Sequence, residues 1–220
     1  MSSLPPDDQL VPGVEQWWWF EAWSPADQLA VYVEFGWSPS DASGWYVALL
    51  TAPEGPVVLV VDPDIAMQKP TSYLEFRAEG IWAQHVCETP FEHWTVGLEA
   101  FGVTLDGPAD AAGDQWGRRT AVGLDVEWES EAAAAGDAED SFSRYSSSFD
   151  QWCRVSGEVL LDDRAIDFDG VGRRGRGWVE HEARHVEAPG PGHGSLVVPV
   201  RVDRPNGSVI VTLALDAELN

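Results

Sequence analysis

Hydrophobic and polar residues alternate with a period of two along most of the chain. In "WWWFEAW", residues 17–23, the odd positions carry three tryptophans and Glu21, whereas the even positions are all apolar. Successive side chains of a β-strand point to opposite faces, so this period predicts strands. Other segments with the pattern are "AVYVEFGW", "GWYVALL", "PVVLVVD", "SYLEFRA", "IWAQHV", "HWTVGLEAFG", "TAVGLDVEWES", "QWCRVSGEVLLDD", "RAIDFDG", "RGWVEHEARH", "GSLVVPVRVD" and "GSVIVTLALD".

Turn signals separate these segments, and no long helical pattern lies between them. The turns include "TAPEG", "DD", "PGPGHG" and "RPNG", which contain the residues that tight turns favour. A parallel sheet would need crossover connections of about a dozen residues, usually helical. The sequence therefore predicts an all-β fold of about a dozen short antiparallel strands, and a barrel and a sandwich are both compatible with it.

One segment interrupts the alternation and divides the chain. "EAAAAGDAEDSFSRYSSS" is rich in alanine, serine and acidic residues, and it predicts a connecting loop at 130–149. We expect a disordered N-terminus at 1–13, an N-terminal β lobe at 14–129 and a shortened C-terminal β lobe at 150–220. The two lobes are expected to pack closely, because 220 residues suit one domain or two small ones.

The net charge excludes several classes of partner. The chain has 13 basic and 37 acidic residues and a formal charge of −24, which repels nucleic acids and anionic membrane surfaces. Residues 1–117 contain two basic residues, Lys69 and Arg77, and the other 11 follow from Arg118 onward. A site for an anionic group is therefore expected in the C-terminal half.

The sequence predicts neither a targeting signal nor a membrane span. "MSSLPPDDQLVPG" lacks the basic and apolar regions of a signal peptide, and no apolar run approaches the roughly 20 residues that cross a bilayer. The two cysteines, Cys87 and Cys153, do not make a disulfide framework. We expect reduced thiols in a cytoplasmic protein, with a single long-range disulfide as the alternative. The pattern does not predict the oligomeric state.

Three short motifs suggest cofactors, and each has a simpler explanation. "GVGRRG", residues 170–175, has the spacing of a dinucleotide loop, but no helical stripe follows it, so a sharp turn or bulge is favoured. In "HEARH", His181 and His185 would lie about 13 Å apart on a strand, too far to share one ion. His85 and His93 lie near acidic residues without a compact ligand pattern. We therefore predict no metal and no organic cofactor.

The strongest candidate for a site is the first strand. Four of the 12 tryptophans lie within residues 17–23, and Trp17, Trp19 and Trp23 share one face with Glu21. A carboxyl group buried among indole rings is harder to ionise and could donate a proton. An acid on the water-facing side of a sheet has no such property. Both orientations of Glu21 are compatible with the pattern, because both faces of this strand carry aromatic side chains.

Three stretches together resemble one known family. "FDQWCRVSGEVLLDDRAIDFDGVGRRGRGW" resembles its pattern "EQ…rVSG.v.vdG…i.G.G.RDHSWG", "CETPFEHWTVG" resembles its "epf.rW.v", and "VEQWWWFEAW" resembles its "nEswyF". The family is the lipocalin-like group that contains carotenoid 1,2-hydratases, tocopherol cyclases and lipocalin-like Diels–Alderases. The resemblance runs from about Val14 to Trp178.

The resemblance is incomplete at its last motif. The positions that fit the family pattern are Gln151, Val155, Ser156, Gly157, Gly170, Gly172, Arg174 and Trp178. Gly175, Arg176 and Gly177 replace the family's Asp-His-Ser. Chemistry that depends on that Asp or His therefore cannot be transferred to this chain.

The resemblance implies a lipocalin-like fold of two β-barrel-like lobes that bind an apolar, often polyene, small molecule without an organic cofactor. It favours a cofactor-independent cyclase or isomerase in which Trp17, Trp19 and Trp23 line the pocket and Glu21 supplies a proton or orients a polar group. The missing Asp-His favours the alternative, a carrier that binds an apolar molecule without chemistry. A third explanation is that the tryptophans merely pack the core.

Arg174 and Arg176 are the candidates for holding an acidic head group. Arginine stays protonated and can bind a carboxylate through two parallel hydrogen bonds. Of the two, Arg174 occupies a position that the family pattern retains, and Trp178 follows it closely, so both are predicted ligand-binding residues. The simpler explanation is that these arginines neutralise surface acids.

Overall fold

The computed structural model describes residues 9–10, 13–38, 43–52, 56–65, 73–113, 115–130, 147–179, 195–204 and 207–216. Within these ranges the chain forms twelve strands and one 3-10 helix, Pro108–Ala112, and none of its helices is long and apolar enough to cross a bilayer. The strands are β1 Glu15–Ser24, β2 Leu29–Ser38, β3 Ser43–Thr51, β4 Val57–Ile65, β5 Tyr73–Ala78, β6 Ile81–Thr89, β7 His93–Leu105, β8 Arg118–Ser130, β9 Ser147–Leu161, β10 Arg164–Val179, β11 Ser195–Arg204 and β12 Gly207–Asp216. The predicted all-β class is confirmed.

The first ten strands form one antiparallel sheet that curves into a ring. Each strand pairs with the next in sequence except at β4 and β5, where the sheet has its two edges. β10 returns to pair with β1, from Glu15 opposite Val179 to Trp23 opposite Val171. The last residues of β7 pair with β4. This pairing joins the β4 edge of the sheet to β7, near the other edge, β5. The sequence allowed a barrel or a sandwich, and the curved sheet is a partial barrel.

The sheet continues across the predicted lobe boundary. β8 and β9 pair side by side, and β9 and β10 belong to the same sheet as β1. β11 and β12 form a separate hairpin, in which β11 approaches the 3-10 helix and β4, and β12 approaches β1 and β2. The division into lobes at 14–129 and 150–220 stays a prediction, and most of the N-terminus at 1–13 and of the loop at 130–149 lies outside the described residues.

Side-chain alternation gives the ring an inner and an outer face. The inner face, called the lumen below, is filled with buried apolar side chains, of which the largest are Trp18, Phe20, Phe35, Tyr46, Phe76, Trp94, Trp128 and Phe168. Cys153 also packs in the lumen, and neither it nor Cys87 forms a disulfide. The outer face of β1–β4 carries a second apolar cluster, which includes Tyr32, Trp45, Val47, Leu49, Val57 and Leu59.

The glycines of "GVGRRG" lie in the middle of β10, so the expected turn or bulge is wrong. β10 pairs with β1 and β9 without a register shift over this stretch. A Cβ on Gly170 would lie 2.1 Å from the carbonyl oxygen of Trp23, and one on Gly172 would lie 2.2 Å from that of Glu21. Glycine is needed here because the backbone of β1 approaches so closely. Within the described residues β10 continues as a strand, without the helix that a dinucleotide loop requires.

Candidate functional site

The odd-numbered residues of β1 form an aromatic surface on the outside of the ring. Trp17, Trp19 and Trp23 are each half-buried at the edge of the outer apolar cluster, and Glu21 lies between them. We call these four residues the tryptophan face. The even-numbered side chains of β1 fill the lumen instead. The aromatic residues on the two faces of β1 thus lie in two separate environments, the outer apolar cluster and the lumen.

Glycines on neighbouring strands make room for indole rings on this side of the sheet. A Cβ on Gly177 of β10 would lie 2.3 Å from the ring of Trp17, and one on Gly36 of β2 would lie 2.0 Å from the ring of Trp45. The indoles can therefore lie across the adjacent strand where a side chain would otherwise stand. This pairing of tryptophan with glycine fixes the direction in which the rings point.

Glu21 is buried on the tryptophan face and forms an ion pair. It lies opposite Arg173 in the β1–β10 register, 9% of its side chain is exposed, and its Oε1 accepts a hydrogen bond from Arg173 Nε at 2.9 Å. The guanidinium carbon of Arg173 lies 5.7 Å from the ring centroid of Trp19 and 5.4 Å from that of Trp152. An opposite charge at this distance favours the ionised carboxylate. In this arrangement Glu21 is an acceptor, and its role as a proton donor stays a prediction.

A second polar group on this face was not predicted as a site. The hydroxyl of Tyr32 donates to Glu34 Oε2 at 2.7 Å, and Trp45 Nε1 donates to Glu34 Oε1 at 3.0 Å. Burial, followed by the charges of Glu34 and Glu21, raises the pKa of Tyr32 well above its ordinary value, so the phenol remains a donor. The β1–β2 register places Tyr32 opposite Glu21 and Glu34 opposite Trp19. Alternation alone indicates the shared face of Tyr32 and Glu34, but not these partners.

Together these residues make a surface suited to an apolar molecule with one polar group. Half-buried indole rings offer flat, electron-rich contact area. The carboxylates of Glu21 and Glu34 lie on adjacent strands, and each is held by donors from its own surroundings. A ligand lying against the rings would place a hydroxyl or a developing positive charge beside these carboxylates.

The predicted arginines lie on the other side of the sheet. Arg174 is 2% exposed and its guanidinium carbon lies 6.0 Å from the ring centroid of Trp94 in the lumen. Arg176 is also buried, lies 4.7 Å from the ring of Trp18, and donates to Gln16 Oε1 at 2.6 Å. The fold therefore separates both arginines from the tryptophan face by the thickness of the sheet.

The side chain of Trp178 and the whole of "HEARH" lie outside the described residues. His85 is buried in the lumen, whereas His93 lies near Glu127 and Glu129 at the surface, with ligand atoms within 4.8 Å of one another. Both carboxylates are exposed, and exposed acidic groups commonly gather without an ion. The predicted absence of a metal stays a prediction.

Comparison with known proteins gives a family and distant structural similarity. A family model described as "Domain of unknown function (DUF7064)" matches residues 6–195, which include the whole stretch that carries the motif resemblance. A search of the curated proteins gives no match.

Among solved structures, that of CghA with Sch210972 is 15% identical with a TM-score of 0.49, and that of CghA alone is 14% identical with a TM-score of 0.42. Each alignment covers 81% of this chain and 51% of CghA, so the chain spans about half the length of that protein. A protein assigned as AttH from Nitrosomonas europaea is 12% identical with a TM-score of 0.37, over 100% of this chain and 66% of that one. All three TM-scores lie below 0.5.

Proposed function

The chain belongs to the DUF7064 family, and we propose that it binds a bulky, unsaturated small molecule on the tryptophan face and acts on it as a cofactor-independent cyclase or isomerase. The observation that carries this proposal is the position of three half-buried indole rings around the buried carboxylate of Glu21. Other tryptophans, Trp18, Trp94 and Trp128, pack the lumen, whereas Trp17, Trp19 and Trp23 stay partly exposed on the outer face. Partly exposed aromatic surface beside a fixed charge is typical of a binding site.

The rate enhancement would come mainly from positioning. A flexible polyene held flat against the indole rings has its reacting carbons brought together. The entropy that would otherwise be lost on reaching the transition state is then lost on binding. The π faces of Trp17, Trp19 and Trp23 would stabilise positive charge that develops on the chain of the ligand. Glu21, held by Arg173, would orient a polar group of the ligand, and donation of a proton by Glu21 would require this ion pair to open.

The alternative is a carrier that binds the same kind of molecule without chemistry. It is favoured by one observation. Gly175, Arg176 and Gly177 occupy the positions where the family that the sequence resembles has Asp-His-Ser. Gly177 leaves room for the ring of Trp17, and Arg176 points into the lumen. None of the three residues therefore brings an acid or a base to the tryptophan face.

Binding on the tryptophan face can be tested with a fluorescent conjugated tetraene, cis-parinaric acid, and its methyl ester. We expect both to bind and to quench tryptophan emission, and Trp19→Ala to weaken binding by about tenfold, because stacking on one indole contributes on the order of 1 kcal/mol. The control is Trp116→Ala, which removes an indole that is 89% exposed and lies outside the strands. Equal affinities of wild type and Trp19→Ala would contradict the proposal.

Catalysis is separated from carriage by product analysis. Incubation with polyenes capable of ring closure, followed by chromatography and NMR, should yield a cyclised or isomerised product for an enzyme and unchanged polyene for a carrier. We expect Glu21→Gln to fold and to lower the rate of product formation at least about tenfold, because it removes the charge that Arg173 holds in place. The matched control is Glu75→Gln on β5, which breaks a similar ion pair with Arg77 away from this face. An equal loss in both variants would show that Glu21 has no special role.

A further inference from the structure

Exposed apolar side chains gather on the outer face of β6–β9, which β10 separates from β1 and the tryptophan face. Five large hydrophobic side chains are exposed within the described residues, and three of them, Trp82, Phe101 and Leu160, line one groove of about 610 Å³. Single exposed apolar residues are common on protein surfaces, whereas grouped ones mark places where another molecule binds. The volume lies in the range of sites for small molecules, about 300 to 1,000 Å³.

The groove follows β8, which has small residues on its outer face where the neighbouring strands have large ones. Ala121 lies opposite Phe101 of β7, and Gly123 lies opposite Leu160 of β9. Both small residues line the groove. The low floor between two higher walls is therefore a direct result of the strand register.

One side of the groove is acidic. Asp125 on β8 and Glu158 on β9 line the groove and lie opposite each other, and Asp167 on β10 lies opposite Glu158. We call these three residues the acidic row. All three are exposed, and none forms an ion pair with another described residue. Like charges directly opposite one another destabilise a sheet, so a cation beside the row would relieve this repulsion.

Two arginines flank the apolar lining, and each already has a partner. The guanidinium carbon of Arg119 lies 3.9 Å from the ring centroid of Phe101. Arg77, opposite Trp82 in the β5–β6 register, forms an ion pair with Glu75. Neither arginine pairs with the acidic row, so the charges of the groove stay separated, positive beside Phe101 and negative along the row.

From this arrangement we infer that the groove is a binding site for a small amphiphilic cation, an aromatic or aliphatic amine. Its apolar part would lie on Trp82, Phe101 and Leu160, and its ammonium group would lie beside the acidic row. A second copy of the chain is a poor occupant, because it would bring the same acids and a further charge of −24. The inference does not depend on the proposed function, since no residue of the tryptophan face lines the groove.

The test compares 9-aminoacridine with acridine, which share one planar ring system but differ in charge, since only 9-aminoacridine is protonated at neutral pH. Equilibrium dialysis in about 0.15 M NaCl, which screens diffuse attraction to the acidic chain, should show at least about tenfold tighter binding of 9-aminoacridine by wild type. In the double variant Asp125→Asn/Glu158→Gln this preference should fall to about twofold or less, with the affinity for acridine unchanged. Trp82→Ala should weaken the binding of both compounds by about fivefold.

The matched control is Glu88→Gln/Asp106→Asn, which removes the same number of charges from exposed residues outside the groove lining and should keep the preference. The variant Asp125→Asn/Glu158→Gln should melt no lower than wild type, because it reduces repulsion within the acidic row. Trp19→Ala should also keep the preference for 9-aminoacridine. Failure of the tryptophan-face proposal would therefore be seen separately.

Four results would overturn the inference. Two concern binding: equal or undetectable binding of the two compounds by wild type, and a preference that survives the loss of both charges from the acidic row. The third is an equal loss of preference in the control variant, which would assign the preference to the net charge of the whole chain. The fourth is a melting temperature of Asp125→Asn/Glu158→Gln below that of wild type, which would show that these acids serve the fold.

Discussion

Glu21 on β1 and Glu34 on the neighbouring strand β2 have different hydrogen-bond partners. Glu21 accepts a hydrogen bond from the charged Arg173, whereas Glu34 accepts hydrogen bonds from the neutral Tyr32 and Trp45. A charged donor stabilises the ionised carboxylate more strongly than a neutral one. The substitution Glu21→Gln therefore breaks an ion pair with Arg173.

The buried histidine gives the protein a pH-dependent stability. Burial lowers the pKa of His85 to about 3 from an ordinary value of 6.5. Between these values the unfolded chain binds a proton at His85 and the folded chain does not, so the free energy of unfolding decreases as the pH falls. Between pH 7.5 and 5 this loss is about 2 kcal/mol, and urea titrations at the two pH values measure it.

His85→Phe is the control for this measurement. It removes the titrating group and keeps a ring stacked on Phe35. All other titrating residues therefore contribute equally to the pH dependence of the free energy of unfolding in both proteins. The stability of wild type should fall relative to that of the variant by about 2 kcal/mol over the same pH range. Parallel curves for the two proteins would mean that His85 can be protonated in the folded state.

At the scale of strands, the contact between β1 and β10 holds the site together. It closes the ring, pairs Glu21 with Arg173 and places Gly177 beside Trp17. The glycines of β10 permit the close approach of β1, so the "GVGRRG" segment has a structural role in the center of the sheet. The site on the tryptophan face consequently depends on backbone packing as well as on its own side chains.

Gly172→Ala tests this dependence. The added Cβ would lie 2.2 Å from the carbonyl oxygen of Glu21 and 3.0 Å from Val155 Cγ2, so β1 must move away from β10. We expect a loss of at least about 2 kcal/mol in the free energy of unfolding by urea titration. The control is Gly123→Ala, where the nearest atom belongs to the side chain of Leu160 at 3.1 Å and a change below about 1 kcal/mol is expected. Similar values for the two variants would contradict the close-approach explanation.

At the scale of the whole molecule, the net charge of −24 acts on stability. Like charges on a compact chain repel one another, and salt screens this repulsion. Raising NaCl from about 0.01 M to 0.2 M at pH 7.5 should therefore increase the melting temperature by about 3 to 6 °C. Near the isoelectric point of about 4.2 the same change in salt should have little effect. A melting temperature that does not respond to salt at pH 7.5 would show that repulsion among the acids is unimportant.

The sequence by itself determined the strands and the composition of their two faces. Alternation is a local property of an extended backbone, so it predicted β1 with Trp17, Trp19, Glu21 and Trp23 together, and it predicted Trp128 on an apolar face. It also predicted two strands, "RAIDFDG" and "RGWVEHEARH", where the structure has one strand through Val179. Glycine in the middle of a strand looks like a turn until the neighbouring strand is known.

The tertiary structure alone decided which face became the lumen and which residues met. Glu21 and Arg173 are 152 residues apart in sequence, and their contact exists because β10 returns beside β1 in a fixed register. The same register turned Arg174 inward, away from the tryptophan face, since adjacent residues of a strand point to opposite sides. Ring closure likewise buried His85 among aromatic side chains. Such pairings depend on long-range contacts between strands, and no local pattern contains them.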